Sequence, residues 1–581
     1  MTARPETPTA QHTIETHLAA LYPDLDIRVL ASDLLDDFGI EGSTEHPRQR
    51  RNNWSQDDVF LVTYGDSVKR ESEAPLATLS EFLTERLSGI VSGVHILPFF
   101  PFSSDDGFAV VDYETVRQDL GGWEDIRELS LRFRLMADLI INHASSESEW
   151  FKNFCARRDP GKDYFVEASP DDDLSAVVRP RSTPVLREVE TSDGTRNVWC
   201  TFGPDQVDLD FSNPQVLREF VQIVRLYMDQ GVGIFRLDAV AYLWKEVGGP
   251  CIHLPQTHEV IRLLRSLIEL RNSAGMVITE TNVPNHENLT YFGNANEAHA
   301  IYNFSLPPLL INALITGNST HLQTWMMSMP PAQFGTAYLN FIASHDGIGV
   351  RPAEGLLSDE ELQVLRHTME RFGGRISMRR GPAGGERPYE INISLLDALK
   401  GTAAGGPDAW QVERFLCAHA IMLALEGIPA IYIHSLLATE NDHELVSQTG
   451  RSRSINRHSW DADRLLGLLD DPESTNSRVF HELGRIIQIR RQQPAFHPNA
   501  TQYTLQLADG IFGFWRQSMY RDQSIFAIHN LTAETQEIPL EQMNLIATDS
   551  WGDLISGDVY DDPGGVIRLE PYQFAWVSNL T

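Results

Sequence analysis

The chain has 581 residues, more than one hydrophobic core needs, so two or three structural units are expected. Its 42% hydrophobic and 22% charged residues describe an ordinary water-soluble protein, and a net charge of −33 argues against nucleic acid and anionic membranes as partners. A surplus of acid on this scale occurs in proteins of saline habitats and in many mesophilic cytosolic enzymes alike. Four cysteines (Cys155, Cys200, Cys251, Cys417) show no C-x-x-C spacing, which points to free thiols in a reducing compartment rather than to zinc or a redox dithiol. The first residues lack an apolar core and no run of 18 apolar residues occurs, so a cytoplasmic protein acting on small molecules, as monomer or homodimer, is expected.

In chain order, residues 1–56 are polar with helical spacing and form an N-terminal extension; their basic run Arg48-Gln-Arg-Arg51 reads as a solvated face. Eight apolar, β-branched segments follow: Val59–Tyr64, Gly93–Phe99, Leu135–Asn142, Gly233–Asp238, Met276–Glu280, Ala300–Phe304, Leu339–Ser344 and Ile428–Ile433. Most are separated by stretches of helical period, and eight such units predict an α/β fold, a closed (β/α)8 TIM barrel. An open doubly wound sheet is disfavoured because no Gly-rich phosphate loop follows the first segment. The barrel then comprises 57–143, 214–346 and 412–498. Residues 144–213 and 347–411 are too long for loops and predict two inserted subdomains on the catalytic face. From 499 to 581, short alternating strands with turns at Asp509-Gly510 and Asp562-Pro-Gly-Gly565 predict a C-terminal antiparallel β-sandwich.

Three of the barrel segments end in an acid: Phe235-Arg-Leu-Asp238, Val277-Ile-Thr-Glu280 and Ile342-Ala-Ser-His-Asp346. A barrel places chemistry at the C-terminal ends of its strands, and two carboxylates about a sugar acetal, with a third acid, suit retaining glycoside chemistry. Arg236 lies on the same strand face as Asp238 and is expected to keep it ionised, whereas the apolar run before Glu280 would raise that acid's pKa. His345 beside Asp346, and His143 after Asn142, could bind sugar hydroxyls. Each feature alone has a bland structural reading; the four together, each at a different strand end, do not.

The segments Asp138-Leu-Ile-Ile-Asn-His143, Phe235-Arg-Leu-Asp-Ala-Val240, Ile278-Thr-Glu-Thr-Asn282 and Ala343-Ser-His-Asp-Gly347 resemble the four signature regions of the α-amylase family of glycoside hydrolases. By that resemblance Asp238 is the nucleophile, Glu280 the acid/base and Asp346 the transition-state stabiliser, with His143, Arg236 and His345 around the glucosyl ring. A closer likeness, over nearly the whole chain, is to the sucrose phosphorylase branch, carried by Leu97-Pro-Phe-Phe-Pro101, Ser104-Asp-Asp-Gly-Phe108, Ser305-Leu-Pro-Pro-Leu309, His345-Asp-Gly-Ile-Gly349 and Ser454-Ile-Asn-Arg-His458. It implies that Asp105 and Arg457 close the glucosyl pocket at its far side. It also implies that no metal and no cofactor are needed, inorganic phosphate being a co-substrate. Arg181, in Arg179-Pro-Arg181, and Tyr389, in Pro388-Tyr-Glu-Ile-Asn392, match the branch's phosphate-binding pair.

The acceptor positions depart from a sucrose enzyme: Val178 replaces an aromatic, Asn282 a histidine and Glu390 a glutamine. Thr-Glu-Thr-Asn and Tyr-Glu-Ile-Asn segments are similar to those of the glucosylglycerol and glucosylglycerate phosphorylases. Glycerate calls for a cation and glycerol for acceptors of its hydroxyls. Glu386, just before the Tyr389 segment, stands where the glucosylglycerate pattern has an arginine, which here is Arg387, one place later. A carboxylate facing the acceptor would repel glycerate, so phosphorolysis of 2-O-α-glucosylglycerol is the expectation, ahead of glucosylglycerate and then of sucrose or its 6′-phosphate. A glucosidase or transglucosidase, and a non-catalytic sugar-binding protein, are the rival readings.

Overall fold

A computed structural model describes residues 8–45, 51–181, 183–380, 386–543, 550–560, 562 and 564–579. Eight parallel strands close into a barrel: β1 (Phe60–Thr63), β2 (Gly93–Ile96), β3 (Arg134–Leu139), β4 (Val232–Leu237), β5 (Met276–Thr279), β6 (Ala300–Tyr302), β7 (Ala337–Asn340) and β8 (Ile428–Tyr432). Each pairs with its sequence neighbour, and β1 returns to β8 with Phe60 opposite Ala430. Nearly every strand residue is buried, because side chains meet the barrel interior on one face and the helices on the other. That double burial is why the strands read as continuous apolar runs. The expectation for the seventh strand is corrected: it ends at Asn340 rather than Ser344. Phe341 and Ile342 are buried in the loop beyond it, so apolarity outlasts the strand.

The extension is a helical pair, α1 (Ala10–Leu21) and α2 (Ile27–Phe38), capped by Thr9 and Asp26 and ended at Gly39 in the left-handed conformation (φ 70°). α1 buries Ala10, Ile14, Leu18 and Leu21, a helical spacing that leaves one apolar stripe for the helix Pro255–Arg271. His17 fixes the contact through Glu259 at 2.6 Å, and the Tyr22 hydroxyl donates to the Phe211 carbonyl at 2.8 Å. Of the basic run, residues 48–50 lie outside the described residues.

Both long intervals leave the C-terminal ends of strands. In the first, after β3, a hairpin (Leu186–Thr191 with Gly194–Trp199) accompanies the short strand Gln206–Asp208, which pairs with His143–Ser145. In the second, after β7, Ile348–Gly349, Glu386–Asn392 and Arg375–Arg380 form an antiparallel sheet beside the helix Asp359–Arg371. The C-terminal part has a six-stranded antiparallel sheet and a two-stranded one, Gln536–Pro539 with Val566–Leu569. Ile511, Phe526 and Val577 of the first share one apolar cluster with Ile538 and Ile567 of the second.

Two buried arginines join these parts, with no carboxylate partner for either among the described residues. Arg490, on the last barrel helix Thr475–Arg491, donates to the carbonyls of Leu423 (2.7 Å), Phe496 (3.2 Å), Asp58 (3.4 Å) and Gly427 (3.5 Å). Arg516, on the C-terminal sheet, donates to Ala424 (2.6 Å) and His497 (2.8 Å). Each stranded carbonyl costs about 1–3 kcal/mol. Arg490→Met should therefore lower stability by about 3 kcal/mol or more, read as a fall in Tm and in the urea midpoint, while an exposed control such as Arg568→Met leaves both unchanged.

Candidate active site

Strand alternation turns Arg236 and Asp238 to the same side of β4, into the barrel mouth. Arg236 Nη1 donates to Asp238 Oδ1 at 2.8 Å and also to Asp138 of β3, which lies opposite Arg236 in the strand register. Asp138 in turn takes His95 of β2 at 2.8 Å. A chain of four buried polar groups, His95–Asp138–Arg236–Asp238, thus crosses three strands. Burial works to raise the Asp138 carboxyl, but Arg236 and His95 overcome it and hold it at about 2. The guanidinium is consequently shared. Burial pushes Asp238 up, Arg236 pulls it down, and Glu280 and Asp138 push it up again, with a net rise. Arg236 acts on Asp238 in the expected direction, but burial and the neighbouring acids oppose it. Burial thus pushes both Asp238 and Glu280 above the ordinary carboxylate range, and the direct bond from Arg236 favours Asp238 as the ionised partner.

Glu280 follows β5 directly. Its carboxylate accepts from the Ala239 N–H at 3.1 Å and lies 4.0 Å from Arg236 Nη2. Ala239 sits at φ 48°, a conformation costly for a residue with a Cβ, and it is held between Asp238 and Glu280. Burial raises Glu280, with Arg236 opposing and Asp346 assisting.

Asp346 is delivered by the loop beyond β7. Its backbone N–H donates to Ser344 Oγ at 3.2 Å, and its carboxylate is 2.6 Å from Arg453 Nη1. His345 stacks on Phe108 with centroids 5.1 Å apart and planes 7° from parallel, and burial, then Arg236 and Arg457, drive its pKa well down. His143 places Nε2 2.8 Å from the Phe108 carbonyl. Asp105 and Asp106 both adopt positive φ (55° and 50°), a local conformation that aspartate tolerates better than most residues. They divide: Asp105 lines the pocket and accepts from Gln206 Nε2 at 3.2 Å, while Asp106 pairs with Arg457 and Arg451. Arg457 is therefore not partnered with Asp105. It lies behind the wall, 3.8 Å from Asp346 and 5.6 Å over the Tyr64 ring.

One pocket joins Asp238, Glu280, Asp346, Asp105, His143 and His345 to residues of both insertions. From the first come Arg181 and Phe202, and from the second Tyr389 and Glu390. Arg181 lies 5.8 Å over the Phe202 ring and 5.7 Å over Tyr389, whereas Arg179 donates to the Thr201 carbonyl (3.0 Å) and to Thr183 Oγ1 (3.0 Å) and so shapes the loop. Burial raises the Tyr389 hydroxyl against the pull of Arg181. Asn282 also lines the pocket, with Oδ1 buried and unpartnered among the described residues. Lys245 seats the first insertion on the barrel: its ammonium is 2.6 Å from Asp208 and donates to Asn142 Oδ1 at 2.8 Å.

Arg453 was not singled out from the sequence. It grips Glu390 with two bonds, Nε to Oε1 at 3.0 Å and Nη2 to Oε2 at 2.7 Å, while its third nitrogen holds Asp346. Glu390, read from the sequence as one of the acceptor positions, is thus neutralised inside the wall. The Glu386 side chain lies outside the described residues.

A closed barrel carrying two acids, an ion-paired third and a ring of sugar-sized polar contacts defines a glycosyl-transferring enzyme of the retaining type. Residues 87–348 match the family model for the alpha amylase catalytic domain. The chain is 43% identical to a glucosylglycerate phosphorylase of Spirochaeta thermophila, over 90% of each chain, and 39% identical to one of Allomeiothermus silvanus, over 98% of this chain and 99% of the other. A glucosylglycerol phosphorylase of Marinobacter adhaerens is 31% identical over 75% and 88%. The solved sucrose 6F-phosphate phosphorylase of Thermoanaerobacter thermosaccharolyticum superposes with a TM-score of 0.71 at 26% identity, over 82% of this chain and 94% of that one. The chain belongs to the α-amylase family, in its phosphorylase branch. Among the described residues, no helix is long and apolar enough to cross a membrane.

Removing Arg453 should leave Glu390 as an uncompensated buried charge, at a cost of about 3–5 kcal/mol. Arg453→Gln is expected to lower Tm sharply, and Arg453→Gln with Glu390→Gln to regain most of the loss. A double variant no more stable than the single one would contradict this.

Proposed function

We propose that the protein is a retaining glucosylglycerate phosphorylase, converting a 2-O-α-glucosylglycerate and phosphate to α-glucose 1-phosphate and glycerate. Glu280 protonates the leaving glycerate oxygen while Asp238 attacks the anomeric carbon to form a β-glucosyl ester. Asp346, oriented by Arg453, faces the cationic ring of the transition state. Phosphate, held by Arg181 and Tyr389, then displaces Asp238 as Glu280 takes the proton, and configuration is retained. The observation that carries the choice of acceptor is the 43% and 39% identity to two glucosylglycerate phosphorylases. The glucosylglycerol phosphorylase is the more distant relative. The Arg453–Glu390 pair is in keeping with this choice, because Glu390 is neutralised while the Arg181 guanidinium lines the pocket.

With α-glucose 1-phosphate as donor, kcat/KM for glycerate should exceed that for glycerol and for fructose by tenfold or more; glycerol equal to or better than glycerate would reject the assignment. Glucose release without phosphate at the phosphorolytic rate would reject phosphorolysis itself. Glu280 must be protonated to start the reaction, and its pKa is raised above the ordinary 4.5. Activity should therefore persist through the range where an unperturbed glutamate has lost its proton and fall only as pH rises through the higher value, which a pH profile of kcat/KM will show.

A further inference from the structure

In glucosylglycerate the carboxylate is borne by the carbon attached to the bridging oxygen, so it must lie close to Glu280 when that acid is in position. The cation that meets it should therefore stand beside Glu280. Arg453 is already engaged with Glu390 and Asp346. Two arginines remain near this end of the pocket, Arg181 on the first insertion and Arg351 on the second.

Arg351 begins a single turn of 3-10 helix, two residues after Gly349. The Gly349 backbone rests against Asn282: a Cβ added there would lie 2.9 Å from Asn282 Nδ2 and 3.0 Å from Oδ1. The absence of a side chain at 349 thus brings the second insertion onto the loop that carries Glu280. Arg351 reaches the Tyr242 hydroxyl as a hydrogen-bonding partner, and Tyr242 lines the pocket beside Glu280 and Asn282. The guanidinium is mostly buried, with 16% of its side chain exposed. Its nearest carboxylate, Glu287, is 3.8 Å away and is shared with His253 at 3.1 Å. Among the described residues no carboxylate comes closer to it than this, and a planar ligand carboxylate would pair with it more tightly than Glu287 does.

Resting on the glucosylglycerate reading, we propose that Arg351 is the residue that selects an anionic acceptor. It binds the glycerate carboxylate from the Tyr242 side, while the free Asn282 Oδ1 accepts from a glycerate hydroxyl. Arg181, with Tyr389, serves phosphate in the following step. Charge selection and phosphate capture are thereby divided between the two insertions.

The test is synthesis from α-glucose 1-phosphate by wild type, R351Q and R351K, with glycerate and glycerol as separate acceptors, together with the phosphate KM in phosphorolysis. R351Q should raise the glycerate KM at least tenfold while the glycerol KM and the phosphate KM stay within twofold. R351K, which keeps the charge but loses the planar fork, should fall between. Unchanged glycerol turnover reports that the fold is intact, and R351K carries the measurement if R351Q does not fold. Either variant holding the glycerate KM within twofold of wild type overturns the proposal, as does an equal rise in the phosphate KM. A wild type that prefers glycerol overturns the glucosylglycerate reading itself and is told apart because it appears before any substitution is made.

Discussion

The site depends on one guanidinium being asked to serve two acids. Arg236 cannot neutralise Asp138 and Asp238 completely, and Asp138, fixed from its other side by His95, takes the stronger share. Asp238 is left ionisable but under tension from Glu280 opposite. Three strands must be in register for this sharing, so the barrel's closure and the charge state of Asp238 are set by the same contacts.

A second guanidinium repeats the arrangement at the mouth. Arg453 ties Asp346, on a loop of the barrel, to Glu390, on the sheet of the second insertion. Asp346 and the strand that carries Tyr389 are thus mechanically joined.

The barrel was legible because strands buried on both faces cannot alternate, and Asp238 and Glu280 were legible because each is the first residue past such a run. Asp346 was harder to place, since Phe341 and Ile342 prolong the apolar signal beyond the last ladder bond. Arg453 was illegible: it stands in Arg451-Ser-Arg-Ser454, which reads as solvated surface, and its partners lie far away in sequence. Glu390 shows the cost of that omission. A sequence displays the sign of a charge but not the counter-charge that folding brings to it. The neighbours Asp105 and Asp106 make the same point, because only the folded backbone shows that the first faces the pocket and the second Arg457.

Arg490 bears on how the molecule is made. Its carbonyl partners come from the lead into β1, from the segments flanking β8 and from the turn before the C-terminal sheet. The first barrel strand also finds its last neighbour only in β8. On a ribosome, then, β1 emerges early and must wait with one edge open while most of the chain is synthesised. The window of exposure closes when the helix bearing Arg490 arrives, which makes that stretch the expected point at which a nascent chain ceases to need chaperone protection.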